Sequence, residues 1–171
     1  MDFLRRQAID NNGYPRAKLA AAVCIKNRII SLGTNQLKTH PFQKAYAKNS
    51  EAIFLHAEIN AIRNSLNHLS PEDLKQATLY VYRVKRPEEK SINWVNGMAK
   101  PCTGCMGAIV EFGFKRVIYT TDVEDEFAVC LNVINTCMES RELIKQLILA
   151  LLDQDSQEPG ETSPIPGTPE L

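Results

Sequence analysis

The region 77–121 constrains the fold most, because it predicts a strand, a helix and a second strand in succession. Residues 77–84, ATLYVYRV, and 116–121, RVIYTT, are rich in β-branched and aromatic side chains, which are typical of strands. Between them, 102–112 reads as a helix that ends before Gly113, a residue suited to the left-handed position after a helix. This succession predicts an α/β fold in which helices cover a sheet.

The flanking sequence extends the same pattern. We predict a helix over 2–11, a hairpin of strands that begins at residue 19 and turns near Asn27 and Arg28, a helix over 50–67, a strand over 127–134 and a helix over 139–152. The polar stretches 36–50 and 85–100 read as long loops. From residue 153 onwards the chain has four prolines and no large apolar cluster, so 153–171 is expected to be a disordered tail.

Composition and charge exclude several classes of protein. Twenty basic residues balance twenty acidic ones, so the chain lacks the positive charge that strong nucleic-acid binding requires. No stretch of 18 uninterrupted apolar residues is present, and the N-terminus has no signal-type apolar run. We therefore expect a cytoplasmic protein with no membrane partner, for which nucleic acid is a disfavoured but open alternative.

Cys102 and Cys105 form the first candidate site. The chain has five cysteines at irregular spacing, which argues against a disulfide framework. In a reducing cytoplasm, a close pair of cysteines more often indicates a metal site or catalysis. Three residues apart on the first turn of a helix, the two sulfurs face the same side, and the helix dipole there favours thiolates, the form that binds zinc.

His56 and Glu58 supply the groups that a catalytic zinc site would still need. Such a site uses three protein ligands and one water. Of the three histidines, only His56 lies near the start of a predicted helix with a carboxylate close by. The spacing of two residues would let His56 bind the metal while Glu58 acts on the water. The alternatives stay open at this point: His56 as a helix cap, and the cysteines as buried small residues or a redox pair.

The segments His56-Ala57-Glu58 and Pro101-Cys102-Thr103-Gly104-Cys105 resemble the two motifs of the zinc-dependent cytidine deaminase superfamily. The resemblance spans about residues 19–122. It implies a three-layer α/β/α catalytic domain over 1–152 with a mixed central sheet of about five strands, and assembly into a homo-oligomer. It also implies that His56, Cys102 and Cys105 hold Zn²⁺ and that Glu58 is the catalytic proton carrier.

The segment HAEINAI, which includes Asn60, is most similar to the deoxycytidylate (dCMP) deaminases. The resemblance therefore implies a small nucleotide substrate and hydrolysis of dCMP to dUMP and ammonia. It places Asn35 at the sugar and Ala57 at the substrate. A phosphate would need a cation, for which the candidates are Lys38, His40 and Lys44 after Asn35, and Arg83, Lys85 and Arg86 at the end of a predicted strand.

Other functions fit part of this pattern. The first is a polynucleotide deaminase acting on transfer-RNA adenosine or single-stranded DNA cytidine, and the second is a deaminase of free nucleosides or bases. A non-catalytic deaminase-like binding or regulatory subunit is a third, although it would have no need of Glu58. The loop 85–100 could alter substrate choice, since the separation from Glu58 to Cys102 is longer than in compact members of the superfamily.

Overall fold

The computed structural model describes residues 1–13, 17–47, 54–89 and 91–131, which all belong to the compact unit Met1–Cys137. The predicted helix 139–152 and the predicted tail 153–171 lie outside these residues. The elements are, in chain order, α1 (Asp2–Ile9), β1 (Ala17–Ile25), β2 (Arg28–Thr34), α2 (Pro41–Ala45), α3 (Ala57–Ser65), α4 (Pro71–Leu74), β3 (Thr78–Lys85), β4 (Val95–Gly97), α5 (Thr103–Glu111), β5 (Arg116–Thr120) and β6 (Phe127–Leu131).

The strands form one mixed sheet in the order β2-β1-β3-β5-β6. β1 is antiparallel to β2 and β3, and β6 is antiparallel to β5. β3 and β5 are parallel, with α5 between them in the chain, which confirms the strand, helix and strand predicted over 77–121. The prediction of an unbroken loop over 85–100 is wrong, because β4 lies within it and pairs with the end of β3.

Both faces of the sheet are covered by helices. Alternate residues of the segment 20–24 in β1 point to opposite faces, as strand geometry requires. One set packs with Leu4 and Ala8 of α1, and the other packs in a larger core with Ile59 of α3 and Ile109 of α5. This arrangement confirms the α/β fold, with α1 packed on one side of the sheet and α3 and α5 on the other, and it explains why β1 is apolar on both faces.

α3 begins later than the sequence predicts. Phe54 is not helical but bridges Thr39, and the backbone N–H of Leu55 donates to the carbonyl of Lys38 at 3.1 Å. His56 then has extended backbone angles, φ −78° and ψ 153°, and stands just before the helix. The prediction of a helix over 50–67 is therefore wrong at residues 54–56, because pairing with the segment before α2 keeps this backbone extended, whereas its residues 50–53 lie outside the described part of the chain.

α3 packs very closely against β2, the edge strand of the sheet. Two asparagines one turn apart on the helix donate to β2 carbonyls: Asn60 Nδ2 to Thr34 at 3.0 Å, and Asn64 Nδ2 to Leu32 at 2.7 Å. Between these two carbonyls lies Gly33, where a Cβ atom would stand 2.5 Å from the carbonyl oxygen of Ala57 and 2.8 Å from the carbonyl carbon of Asn60. Only glycine lets the two backbones approach this closely.

We predict that Gly33→Ala lowers the free energy of unfolding by about 1–3 kcal/mol, because the added methyl group must push α3 away from β2. The matched control is Gly107→Ala on the exposed side of α5, where a Cβ would meet no atom within 4 Å. That control should be neutral or should stabilise by up to about 1 kcal/mol, because alanine is the better helix former. Chemical denaturation measures both; equal effects would contradict the close contact.

Candidate functional site

The starts of α3 and α5 bring the three predicted metal ligands together. His56 and Cys102 each stand at the N-cap of their helix, and Cys105 lies in the first turn of α5. His56 Nδ1 lies 3.2 Å from Cys105 Sγ and 3.6 Å from Cys102 Sγ. All three donor atoms lie within 4.8 Å of one another. Two helix starts that are far apart in the sequence therefore make one donor cluster.

The spacing of these donors fits zinc. A tetrahedral Zn²⁺ with Zn–S of about 2.3 Å and Zn–N of about 2.0–2.1 Å requires N···S separations of about 3.6 Å. The two observed N···S distances, 3.2 and 3.6 Å, are close to that value. In the described part of the chain the group consists of these three residues, with no fourth protein donor. Three donors correspond to a catalytic rather than a structural zinc site.

The pKa values of the three donor groups are shifted in different directions. Hydrogen bonds from Cys105 and His56 lower the pKa of Cys102, which favours its thiolate form. The hydrogen bond to Cys102 raises the pKa of His56, and the hydrogen bond to Cys102 together with burial raises the pKa of Cys105. Because zinc binds thiolates and neutral imidazole, metal binding must displace protons from His56 and Cys105.

Glu58 lies one residue into α3 and is almost completely buried, with 3% of its surface exposed. Among the described residues, its Oε2 atom has no hydrogen-bond partner. Burial raises the pKa of this carboxyl group, because the low-dielectric interior disfavours its charge. An unpaired buried oxygen costs about 1–3 kcal/mol, so a partner that enters from the adjoining cavity would relieve this cost.

A cavity of about 280 Å³ adjoins the cluster. His56, Glu58 and Cys102 line it, together with Ala57 and Asn35. The structure therefore brings together, around one space, the predicted catalytic carboxylate, two of the three predicted metal ligands and two of the predicted substrate contacts. Cys105, the third metal ligand, is buried behind this surface.

Most of the hydrogen-bonding capacity of Asn35 is used within the protein. Its Oδ1 accepts from Asn11 Nδ2 at 2.9 Å and from the backbone N–H of Leu19 at 2.8 Å. Its Nδ2 donates to the carbonyl of Ala17 at 2.8 Å. One N–H of the amide remains, so Asn35 can contact a molecule in the cavity as a donor but not as an acceptor.

Several other residues lie away from the cavity lining. Lys38 is exposed, and His40 caps α2, with its Nδ1 accepting from the backbone N–H of Phe42 at 3.1 Å. Asn60 is engaged with β2, so its position explains packing and not substrate choice. Trp94, in the segment before β4, packs with the cations of Lys18 and Arg86 at 4.9 and 5.0 Å from its ring centre.

Gln43 is a positioning residue that the sequence reading missed. It is 1% exposed, and its Oε1 accepts the backbone N–H of His56 at 3.0 Å. The carbonyl oxygen of Tyr46, just after α2, lies so close to Gly104 that a Cβ there would collide with it. α2 therefore touches both halves of the donor cluster. No signal in the polar segment 36–50 marks Gln43, because its burial depends on contacts distant in sequence.

A comparison with protein-family models agrees with this site. The family model described as "Cytidine and deoxycytidylate deaminase zinc-binding region" matches residues 4–121. Among solved structures, the apo crystal structure of dCMP deaminase from the cyanophage S-TIM5 is 20% identical, covers 71% of this chain and 73% of its own, and has a TM-score of 0.40. No curated protein sequence matches. In the described residues, no helix is long and apolar enough to cross a membrane.

We predict that Gln43→Ala weakens zinc binding by about 10- to 100-fold, the usual effect of removing a group that orients a metal ligand. Gln43→Glu keeps an acceptor for the N–H of His56 and should recover part of the affinity. Gln76→Ala, at an exposed site beyond α4, is the matched control and should leave zinc binding unchanged. Competition with a chromogenic chelator measures all three, and unchanged affinity in Gln43→Ala would refute the role.

Zinc affinity should also rise with pH. The pKa of Cys105 is raised above its ordinary value of 9.0, so between about pH 6 and 8 its thiol must lose a proton on binding, which gives about tenfold tighter binding per pH unit. Below the raised pKa of His56 a second proton is displaced and the slope should steepen. Cys102, whose pKa is lowered by hydrogen bonds from Cys105 and His56, should contribute least to this slope. A pH-independent affinity would contradict this proton distribution.

Proposed function

Because the chain belongs to the family of cytidine and deoxycytidylate deaminases, we propose that it hydrolytically deaminates a free pyrimidine nucleotide, with dCMP giving dUMP and ammonia as the leading reaction. The observation that carries this proposal is the buried Glu58, whose Oε2 is unpaired beside three zinc donors and a cavity. A carboxylate in that setting is suited to moving protons for a substrate that fills the cavity.

In this proposal His56, Cys102 and Cys105 hold Zn²⁺. The ion, when bound, makes water acidic enough to act as a nucleophile near neutral pH. The lowered pKa of Cys102 favours its thiolate form before binding, whereas the raised pKa values of His56 and Cys105 favour their protonated forms, from which zinc must displace the proton. The starts of two helices favour the negative charge of the sulfurs.

Glu58 carries the protons of the reaction. It takes one from the attacking water and delivers it to N3 of the cytosine ring as the water oxygen bonds to C4. It then takes the remaining proton from the new C4 hydroxyl group and transfers it to the amino group. The bond from C4 to that nitrogen breaks as the C4 carbonyl forms, and ammonia leaves. The raised pKa of Glu58 suits this role, because the group can hold a proton between the two transfers. Such help contributes about 10²- to 10⁴-fold in rate.

The substrate contacts in this proposal are Asn35 and Ala57. The free N–H of Asn35 would donate to a sugar hydroxyl, since its other hydrogen-bonding positions are occupied. Ala57, fully buried at the start of α3, would lie against the base. Lys38 and His40 are not required. The choice of dCMP, the homo-oligomeric state, the cytoplasmic location and the domain limits of 1–152 remain predictions from the sequence.

We predict that Glu58→Gln keeps its zinc but loses activity by at least about 10²-fold, because the amide cannot accept and return protons. Elemental analysis and ammonia release are measured on the same preparation. Glu72→Gln, on the exposed helix α4, is the control and should retain both zinc and activity. Activity at the wild-type rate in Glu58→Gln would disprove the role of this residue.

A substrate panel tests the reaction itself. Zinc-loaded protein is incubated separately with dCMP, CMP, deoxycytidine, cytosine, single-stranded DNA and transfer RNA, and ammonia is measured. We expect the highest kcat/KM for a free pyrimidine nucleotide. Turnover confined to the polynucleotides, or to the free base, would contradict the proposal.

A further inference from the structure

We propose that Arg83 and Lys100 form a phosphate-binding part of the cavity, so that the site distinguishes a nucleoside monophosphate from the corresponding nucleoside. Both residues line the cavity that His56 and Glu58 also line. The inference rests on the proposed function, and it identifies the residues that would bind the phosphate of the substrate.

Arg83 lies next to the residue proposed to contact the sugar. In the pairing of β1 with β3, Arg83 stands directly opposite Leu19. The backbone N–H of Leu19 is bound by the side chain of Asn35. Side chains directly opposite on neighbouring strands lie about 5 Å apart, so Asn35, Leu19 and Arg83 form a continuous wall of the cavity. A sugar at Asn35 would thus have a cation within reach of its phosphate.

The guanidinium group is held in place but keeps donors available. Its Nη1 donates to the carbonyl of Met98 at 3.2 Å, and its stem passes Gly97, where a Cβ would stand 3.2 Å from Arg83 Cγ. Its Nε is buried near Gly97 and is not accessible to a ligand, so the donors available to one are the remaining N–H groups of Nη1 and Nη2. A planar guanidinium with unused N–H groups is suited to the oxygens of a phosphate, because it can donate two parallel hydrogen bonds.

Among the described residues, no ion pair joins Arg83 or Lys100 to a carboxylate, although Asp122, which is paired with Lys85, lies near enough to Arg83 to interact with its charge. The ion pairs in the described part of the chain join Lys75 to Glu72 and Lys85 to Asp122, and neither involves Arg83 or Lys100. The acidic groups that line the cavity, Glu58 and Cys102, belong to the zinc centre. Arg83 and Lys100 thus have no ion-pair partner of their own, and an anionic ligand in the cavity could pair with them.

The other cations suggested by the sequence have different surroundings. Lys85 is paired with Asp122, and Arg86 stacks on Trp94. Lys38, His40 and Lys44 are not part of the cavity lining. Of the six candidates for a phosphate contact, the structure thus selects Arg83, and it adds Lys100, which the sequence did not single out.

The test compares the binding of dUMP and deoxyuridine, which differ only in the phosphate, to zinc-loaded wild type and Arg83→Gln by isothermal titration calorimetry. Removing a charge-assisted contact should weaken dUMP binding by about 10- to 100-fold and leave deoxyuridine binding unchanged. Arg86→Gln, at the end of the same strand but outside the cavity lining, is the matched control and should bind both ligands as the wild type does.

Two further variants keep the test decisive if Arg83→Gln is unstable. Lys100→Gln changes an exposed side chain, and Arg83→Lys keeps the charge but removes the planar fork. Each should weaken dUMP binding several-fold with no effect on deoxyuridine. The proposal would be overturned if the variants lost affinity equally for both ligands, or if no variant lost affinity for dUMP. It would also be overturned if the wild type bound dUMP no more tightly than deoxyuridine.

A failure of the proposed function can be distinguished from a failure of the phosphate site. Ammonia release from dCMP by the wild type is measured alongside binding. A preference for dUMP that depends on Arg83, without turnover of dCMP, would support the phosphate site and refute the reaction. If dCMP is turned over but substitution of Arg83 does not change the preference for dUMP over deoxyuridine, the phosphate site alone is refuted.

Discussion

The extended backbone at Leu55 and His56 is the constraint on which the site depends. Hydrogen bonds with the strand-like segment before α2 hold this backbone out of the helix, so that α3 starts at Ala57. His56 then projects from an N-cap towards the sulfurs of α5, while Glu58 lies within the first turn and faces the cavity. A helix that started several residues earlier would give His56 helical backbone angles and could not present both groups in this way.

The sequence predicted those parts of the fold that local patterns determine. The strands on either side of α5, the helix end at Gly113 and the pairing of two cysteines in one turn follow from propensity, glycine and spacing alone. The start of α3, the short strand β4 and the burial of Gln43 depend on partners distant in the chain. Sequence periodicity carries no information about such partners, which is why these features were mispredicted or missed.

Asn60 shows how a motif can be informative about the fold without being informative about the ligand. In the sequence it favours the deoxycytidylate branch, but in the structure its amide binds the carbonyl of Thr34 and lies outside the cavity lining. Substrate choice must then depend on residues that do reach the cavity. Arg83 is such a residue, and it lies on β3, outside both zinc-binding motifs.

Asn60 and Asn64 of α3 also cover the outer edge of β2, the strand at one edge of the sheet. The backbone N–H of Asn35 points to β1, so the carbonyls of Leu32 and Thr34, at the alternate positions, face the free edge of β2. Side chains of α3 occupy both carbonyls, which prevents another strand, from this chain or a second one, from adding there. The helix that carries Glu58 therefore also protects the sheet from intermolecular strand pairing. If α3 moved away from β2, the edge of β2 would become available for aggregation and the site would be lost at the same time.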